Sequence, residues 1–339
     1  MPMCAKELIL PKHYENKLDF TTTEIAIKYV KDLFEKRLAH HLNLMRVSAP
    51  LYVLADSGLN DDLNGVERPV CFDMKELGKE VTIVHSLAKW KRMALARYRF
   101  TCGKGIYTDM NAIRRDEQLD NLHSTYVDQW DWEKIIDPSE RNVETLRYCV
   151  MQVMKALKET EKELSIVFEN LEPFIKEEVY FITTQELLER YPDKTVKQRE
   201  YEIVKEHRTV FLMQIGDRLS DGSVHDGRAP DYDDWSLNGD ILIYYPLLDC
   251  VVEISSMGIR VNEEVLLEQL QKAGCMERAQ LPFHQQLLHH ELPQTIGGGI
   301  GQSRICMLLL NKAHIGEVQV SLWDEETLAL CKQHRIHLL

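Results

Sequence analysis

IGGGIGQSRI, residues 296–305, holds four glycines within five positions. Each costs chain entropy that an ordinary residue would not, so something must approach this backbone closely. A phosphate-binding P-loop requires Lys and Ser/Thr directly after its last glycine, but Gly301 is followed by Gln302 and Ser303. A dinucleotide fingerprint requires a third glycine where Arg304 stands. What remains is Gly297, Gly299 and Gly301 at alternate positions, then Arg304 at the head of an apolar run of helical length, 305–310. Alternate positions share one face of a strand. The pattern therefore predicts a strand with a bare face, followed by a helix that starts with an arginine.

Upstream, GDILIYY and CVVEISS are two strand-like runs joined by PLLD, which predicts an antiparallel hairpin. Before it lies GDRLSDGSVHDGRAPDYDDW, 216–235, too long and polar for a mere connection and read as an ordered active-site loop. TVFLMQI, 209–215, reads as a buried strand, and 185–208 as a mixed helical stretch. VETLRYCVMQVMKALKETEKEL, 143–164, is the clearest helix. HSLAKWKRMALARYRF, 85–100, predicts a helix capped at Ser86, and GIYTDMNAIRRDE an extended segment before a turn at RRDEQLDN. From Thr23, apolar residues recur at helical spacing, with N-caps offered by Thr21 to Thr23. That helix runs into LNLMRVSAPLYVL, 42–54, a strand with an edge or a break at Pro50. Neighbouring strands with helices between them argue for an α+β fold, an antiparallel sheet flanked by helices. The expected organisation is an N-terminal extension, 1–20, and a single catalytic domain, 21–339.

The 339 residues carry 41 basic and 54 acidic side chains, a net charge of −13 that repels polyanions and argues against nucleic acid as a partner. The eight cysteines, at 4, 71, 102, 149, 250, 275, 306 and 331, form no CxxC pair and suggest neither a zinc knuckle nor a disulfide framework. No segment reaches membrane-spanning length and MPMCAKELIL lacks a signal core, so a soluble, cytoplasmic protein without a membrane partner is expected. The histidine pairs at 40/41 and 289/290 read as surface residues.

Three signals in order (the helix and strand ending at Pro50, the later strand with an arginine before a polar turn, and the alternate glycines leading to Arg304) resemble the three motifs of class II aminoacyl-tRNA synthetases. The match is closer to one branch, the ammonia-dependent asparagine synthetases, through VHSLAKWKR, STYVDQWDWE, RAPDYDDW, LNGDIL, EISSMGIRV and PQTIGGGIGQSR. The resemblance spans nearly the whole chain from about residue 20. It implies a class II synthetase-like catalytic domain, a homodimer with the first motif at its interface, and ATP-dependent synthesis of L-asparagine from L-aspartate and ammonia. The route implied is a β-aspartyl-adenylate, with AMP and pyrophosphate released.

Residue by residue, Arg114 matches the second-motif arginine and is expected on the α-phosphate. Arg304 matches that of the third motif, stacked on adenine or holding the γ-phosphate. The bare face of Gly297, Gly299 and Gly301 would let adenine lie against the backbone, tight helix-on-strand packing being the alternative. Where relatives place a phenylalanine against adenine, this chain has Val127 beside Tyr126. Mg²⁺ is expected near Asp240 and Glu253, since it takes carboxylate and phosphate oxygens. The aspartate pocket is expected from Asp61, Lys91, Gln129, Asp131, Asp233, Ser256 and Arg260. Asp61 or Asp131 should meet the ammonium, Arg260 and Lys91 the carboxylates. AKWKR as an exposed basic helical face is the weaker alternative. Free ammonia is the expected nitrogen donor, because no cysteine, Cys4 included, stands in a glutaminase setting. Two rivals are a non-catalytic synthetase paralogue, which would tend to lose these arginines, and a tRNA-charging enzyme, which would carry an anticodon-reading domain.

Overall fold

The computed structural model describes residues 8–61, 63 and 67–339, so Cys4 and the first seven positions of the expected extension lie outside the described residues. Chain order begins with helix α1 (Phe20–Leu42), strands β1 (Leu44–Arg46), β2 (Tyr52–Leu54), β3 (Cys71–Met74) and β4 (Lys79–Ile83), and helix α2 (Ala88–Arg97). A long hairpin, β5 (Gly105–Ile113) and β6 (Tyr126–Ile135), leads to α3 (Val143–Val167), β7 (Tyr180–Thr183), α4 (Thr184–Arg190) and α5 (Val196–His207). Then come β8 (Thr209–Met213), β9 (Asp233–Tyr245), β10 (Cys250–Arg260), α6 (Glu263–Ala273) and α7 (Pro282–Leu288). The chain ends with β11 (Thr295–Gly301), α8 (Gln302–Leu309) and α9 (Glu325–Gln333).

Eight strands form one sheet in the order β1-β5-β6-β11-β10-β9-β8-β7; β2, β4 and β3 form a separate three-stranded sheet. The centre is antiparallel as expected, but both edges are parallel, β1 with β5 and β7 with β8. The 42–54 segment is two strands in two sheets, divided around Pro50, because the residues between them turn the chain from one sheet to the other. α1 starts three residues before Thr23: Asp19, not a threonine, caps it by accepting from the Thr22 amide at 2.7 Å. Residues before α1 pack onto the body of the fold. The Tyr14 hydroxyl donates to Glu317 at 2.9 Å, and the Ile9 amide donates to Asn121 at 2.8 Å.

Alternation decides what each face of the sheet does. In β6, Trp130 and Trp132 are fully buried and join Ile296, Ile300, Met257 and Ile259 in the core under α1, α3 and α8. Gln129, Asp131 and Glu133 point the other way, in register with Gly301, Gly299 and Gly297 of β11. A register shift between Glu253 and Ser255 on β10 leaves Ile254 without a partner on β9. That bulge sets Glu253 opposite Leu242 and Ser256 opposite Asp240, so two residues three apart in sequence share the polar face.

Candidate active site

The polar face of the sheet floors a cavity of about 390 Å³, walled by α2, the turn after β5, the loop before β9, β10, β11 and the start of α8. Eleven of the fourteen sequence-predicted residues lie on its wall: Arg114, Arg304, Lys91, Gln129, Asp131, Asp233, Ser256, Arg260, Gly299, Gly301 and Glu253. Asp61, Asp240 and Gly297 do not.

One end is a mixed-charge cluster. Lys91 is 1% exposed and pairs with Asp131; its ammonium also donates to the carbonyls of Trp132 at 2.9 Å and Gly298 at 3.3 Å. Arg260 forms a fork with Glu133, at 2.9 Å and 2.7 Å, and its remaining nitrogen pairs with Asp233. Burial pushes the Glu133 carboxyl up, but Arg260 and Lys91 outweigh it and hold it below the usual range. For Asp233 burial wins over Arg260, and its carboxyl is raised. Thus Lys91 and Arg260, expected to wait for substrate carboxylates, are already engaged by carboxylates of the protein. The helix that could have been an exposed basic face is the reverse: Lys89, Lys91 and Arg92 are each at most 2% exposed. Lys89 pairs with Asp231 at 2.9 Å, and Arg92 donates to the carbonyls of Val261 at 2.7 Å and Pro293 at 2.8 Å. Ser86 accepts from the Ala88 amide at 3.2 Å, close to the expected cap.

The other end is rich in cations. Desolvation in the cleft would raise the carboxyl of Glu253, a half-exposed side chain, but Arg304, Arg228, Arg114 and Lys197 together hold it below its ordinary value. Arg304 donates to the Glu253 carbonyl at 2.8 Å and stands 4.0 Å from its carboxylate. Arg114 lies 3.5 Å from Glu117, with its Nε unpartnered among the described residues. Asp240 lies off the wall, paired with Arg228 through one oxygen and beside Ser256, while Oδ1 has no well-formed hydrogen bond among the described residues. Burial, opposed by Arg228 and aided by Glu253, pushes its carboxyl up to about 7.

The expected ordered loop is held in place from both sides. His225 meets Glu200 on α5 at 3.0 Å, while Asp231 meets Lys89 on α2 and His284 on α7, each at 2.9 Å. The loop presents Arg228, between these anchors, and Tyr232, just after them, to the cavity.

The glycine face is mostly filled by the protein itself. A Cβ on Gly297 would collide with the Glu133 carboxylate and lie 2.5 Å from the Trp132 carbonyl and 2.6 Å from the Arg260 guanidinium. One on Gly299 would meet Gln129 at 2.5 Å. Only at Gly301 is the nearest atom as far as 3.3 Å, on Arg304. Gly297 therefore makes room for an ion pair and not for adenine. Asp61, expected near the ammonium, is buried off the wall, its Oδ1 accepting from the Leu63 amide at 3.1 Å, and burial raises its carboxyl. Val127 and Tyr126 both reach the wall; the Tyr126 hydroxyl donates to Asn111 at 2.6 Å. His41 is half-buried against Glu159 at 2.9 Å instead of lying on the surface.

Sequence reasoning missed Glu133, Arg228 and Lys197. Glu133 was legible, as the third member of the alternation that contains Gln129 and Asp131. Arg228 sits inside the RAPDYDDW stretch, but nothing local reveals that it bends back onto Asp240. Among the described residues, no helix is long and apolar enough to cross a membrane.

A family model described as aspartate-ammonia ligase matches residues 21–335. An aspartate–ammonia ligase of Ruminiclostridium cellulolyticum is 60% identical over 333 residues, covering 98% of this chain and 99% of that protein. Another, from Clostridium tetani, is 59% identical over 337 residues and covers 99% of each. Among solved structures, an asparaginyl-tRNA synthetase of Entamoeba histolytica in complex with asparaginyl-adenylate superposes with a TM-score of 0.62 at 13% identity, over 88% of this chain and 66% of that one. The Pyrococcus horikoshii asparaginyl-tRNA synthetase gives 0.60 at 14% identity, over 89% and 70%. The fold is that of class II aminoacyl-tRNA synthetases, and by full-length identity and matching motifs the chain belongs to the aspartate–ammonia ligase family.

Proposed function

We propose that this cavity joins ammonia to the β-carboxylate of L-aspartate, using ATP, to make L-asparagine through a β-aspartyl-adenylate with release of AMP and pyrophosphate. The observation that carries the reading is the cavity's division into a mixed-charge end and a cation-rich end. Aspartate offers one ammonium and two carboxylates, and the mixed end offers both signs at fixed positions. Its buried members are three acids, Asp131, Glu133 and Asp233, against two cations, Lys91 and Arg260. That leaves one negative charge in excess, which favours binding the substrate ammonium. A substrate carboxylate would then compete with Asp131 for Lys91 and with Asp233 for Arg260. Gln129 and Ser256 flank this end and supply neutral hydrogen-bonding groups.

At the other end, Arg114 and Arg304 would bind the phosphates and stabilise the charge that develops as the β-carboxylate attacks the α-phosphate. Arg228 and Lys197 join them, and Gly301 lets the Arg304 side chain lie close against the backbone. The donors also fit Mg²⁺. Asp240 keeps a buried oxygen without a partner among the described residues, and Glu253 shares its strand face. A cation held by Asp240 and Glu253 would thus complete its shell with phosphate oxygens and water, as Mg²⁺ does, and would screen the transferring phosphate.

The same reading makes the protein a cytoplasmic homodimer that uses free ammonia. β1 is an edge strand of the main sheet, and Ile25 on α1, Met45 on β1, and Leu51 and Tyr52 just after Pro50 are large apolar side chains left exposed in the 23–54 segment. A second copy would cover both; a monomer in sedimentation at micromolar concentration would refute this. The activity is tested by incubating the protein with aspartate, ATP, Mg²⁺ and ammonium and identifying the products. Asparagine, AMP and pyrophosphate are expected, whereas ADP would mean an acyl-phosphate route. Glutamine labelled in its side-chain amide should deliver no label to asparagine in ammonium-free buffer.

A further inference from the structure

Ammonium, the form that dominates at neutral pH, has no lone pair and cannot attack an acyl-adenylate until a base takes a proton from it. The carboxylates on the wall at the aspartate end are committed, Asp131 to Lys91 and Asp233 to Arg260. His85 is different. It lies on the cavity wall beside Ser86, three positions before Ala88, the first wall residue of α2, and is 1% exposed. Its Nδ1 stands 3.0 Å from the Asp61 carbonyl oxygen. A carbonyl only accepts, so Nδ1 carries the hydrogen. In the neutral ring this leaves the lone pair on Nε2, which is buried and has no partner among the described residues. The backbone fixes the ring's origin as well, since the His85 amide donates to Asn60 at 2.8 Å. A buried acceptor without a donor is unfavourable unless a ligand supplies one, and ammonium is a small donor cation.

We propose that His85 is the base of the amide-forming step, which rests on the aspartyl-adenylate reading above. Nε2 takes one proton from ammonium to give ammonia and an imidazolium whose Nδ1–H remains on the Asp61 carbonyl. The ammonia lone pair forms the C–N bond at the β-carbonyl carbon, and the C–O bond to AMP breaks with its electron pair leaving on the phosphate. The second proton, on the new nitrogen, passes to the phosphate oxygen of the departing AMP as the tetrahedral adduct collapses, and His85 returns its proton to solvent. Asp61, expected to bind ammonium through its carboxylate, would act instead through its main-chain carbonyl, by fixing the tautomer.

His85→Asn tests this, because the amide nitrogen of asparagine can still donate toward the Asp61 carbonyl while the base is gone; His85→Gln is the second variant. Three rates are measured for each: aspartate-dependent exchange of labelled pyrophosphate into ATP, asparagine formation from ammonium, and hydroxamate formation from hydroxylamine, a nucleophile that is largely uncharged at neutral pH. Exchange and hydroxamate formation should stay near wild type, with kcat/KM for ammonium down about a hundredfold, the lower scale for losing a general base. Equal loss with hydroxylamine and ammonium, loss of exchange in variants that melt like wild type, or unchanged ammonium kinetics would each overturn the assignment. Absence of exchange in the wild-type protein would instead sink the adenylate reading itself.

Discussion

Gly297→Ala separates two roles for the glycine face. At this position the backbone lies outside the left-handed region, so alanine brings no torsional strain and its effect is steric. The new methyl would press on the Glu133 carboxylate, the Trp132 carbonyl at 2.5 Å and the Arg260 guanidinium at 2.6 Å. The carbonyl belongs to the central ladder between β6 and β11 and cannot retreat alone. The fork between Glu133 and Arg260, both at most 2% exposed, must therefore open or the strands must part. Overpacking costs roughly 1–3 kcal/mol and a broken buried pair somewhat more, so about 3 kcal/mol is expected. With an unfolding entropy of about 0.7 kcal/mol/K for 339 residues, this lowers the melting temperature by about 4 °C. Calorimetry or dye-monitored melting reads the shift, and steady-state kinetics should show KM for aspartate rising more than KM for ATP. An alanine variant that melts like wild type and is impaired only toward ATP would refute the reasoning and return Gly297 to the nucleotide.

Arg114→Ala and Arg304→Ala should each stay folded and lose about a hundredfold or more in turnover, the scale of one preorganised charge contact; near-normal turnover in either would remove it from the phosphate site. Glu253→Gln should raise the Mg²⁺ concentration needed for half-maximal rate, and an unchanged Mg²⁺ dependence would place the metal elsewhere. The Asp231 carboxyl is pushed up by burial but held well below the carboxylate range by Lys89 and His284. Its contribution to stability is therefore complete above the ordinary value of about 4 and lost as pH falls through the lower folded value. Asp231→Asn should melt below wild type at pH 7, with the gap narrowing in acid; a pH-independent gap would contradict the sign. Burial pushes the Cys149 and Cys306 thiols up to about 12, so a thiol reagent should label exposed Cys71 and Cys102 well before either. Rapid native-state labelling of Cys306 would show that α8 opens.

The sequence by itself determined the pieces that depend on local spacing. Alternation in VDQWDWE is enough to put Trp130 and Trp132 on one face and Gln129, Asp131 and Glu133 on the other, because side chains in a strand alternate with period two, although Glu133 was not drawn from it. The run after Arg304 specified a helix, and the same alternation in IGGGIG specified a bare strand face. The arginines and carboxylates of the motifs could be named because their residue types and order follow a family pattern. Only the tertiary structure decided what those residues touch. Arg260 and Glu133 are 127 positions apart, and Lys89 and Asp231 are 142 apart, so no periodicity in the chain announces either pair. For the same reason the alternative of an exposed basic face at AKWKR could not be dismissed from sequence, although Lys89, Lys91 and Arg92 are all buried. Charge alone does not reveal that a partner will arrive from another element to offset the loss of water. The bulge at Ile254 and the filling of the space above Gly297 also belong to the assembled sheet, where a strand's neighbours, and not its own composition, settle which groups meet.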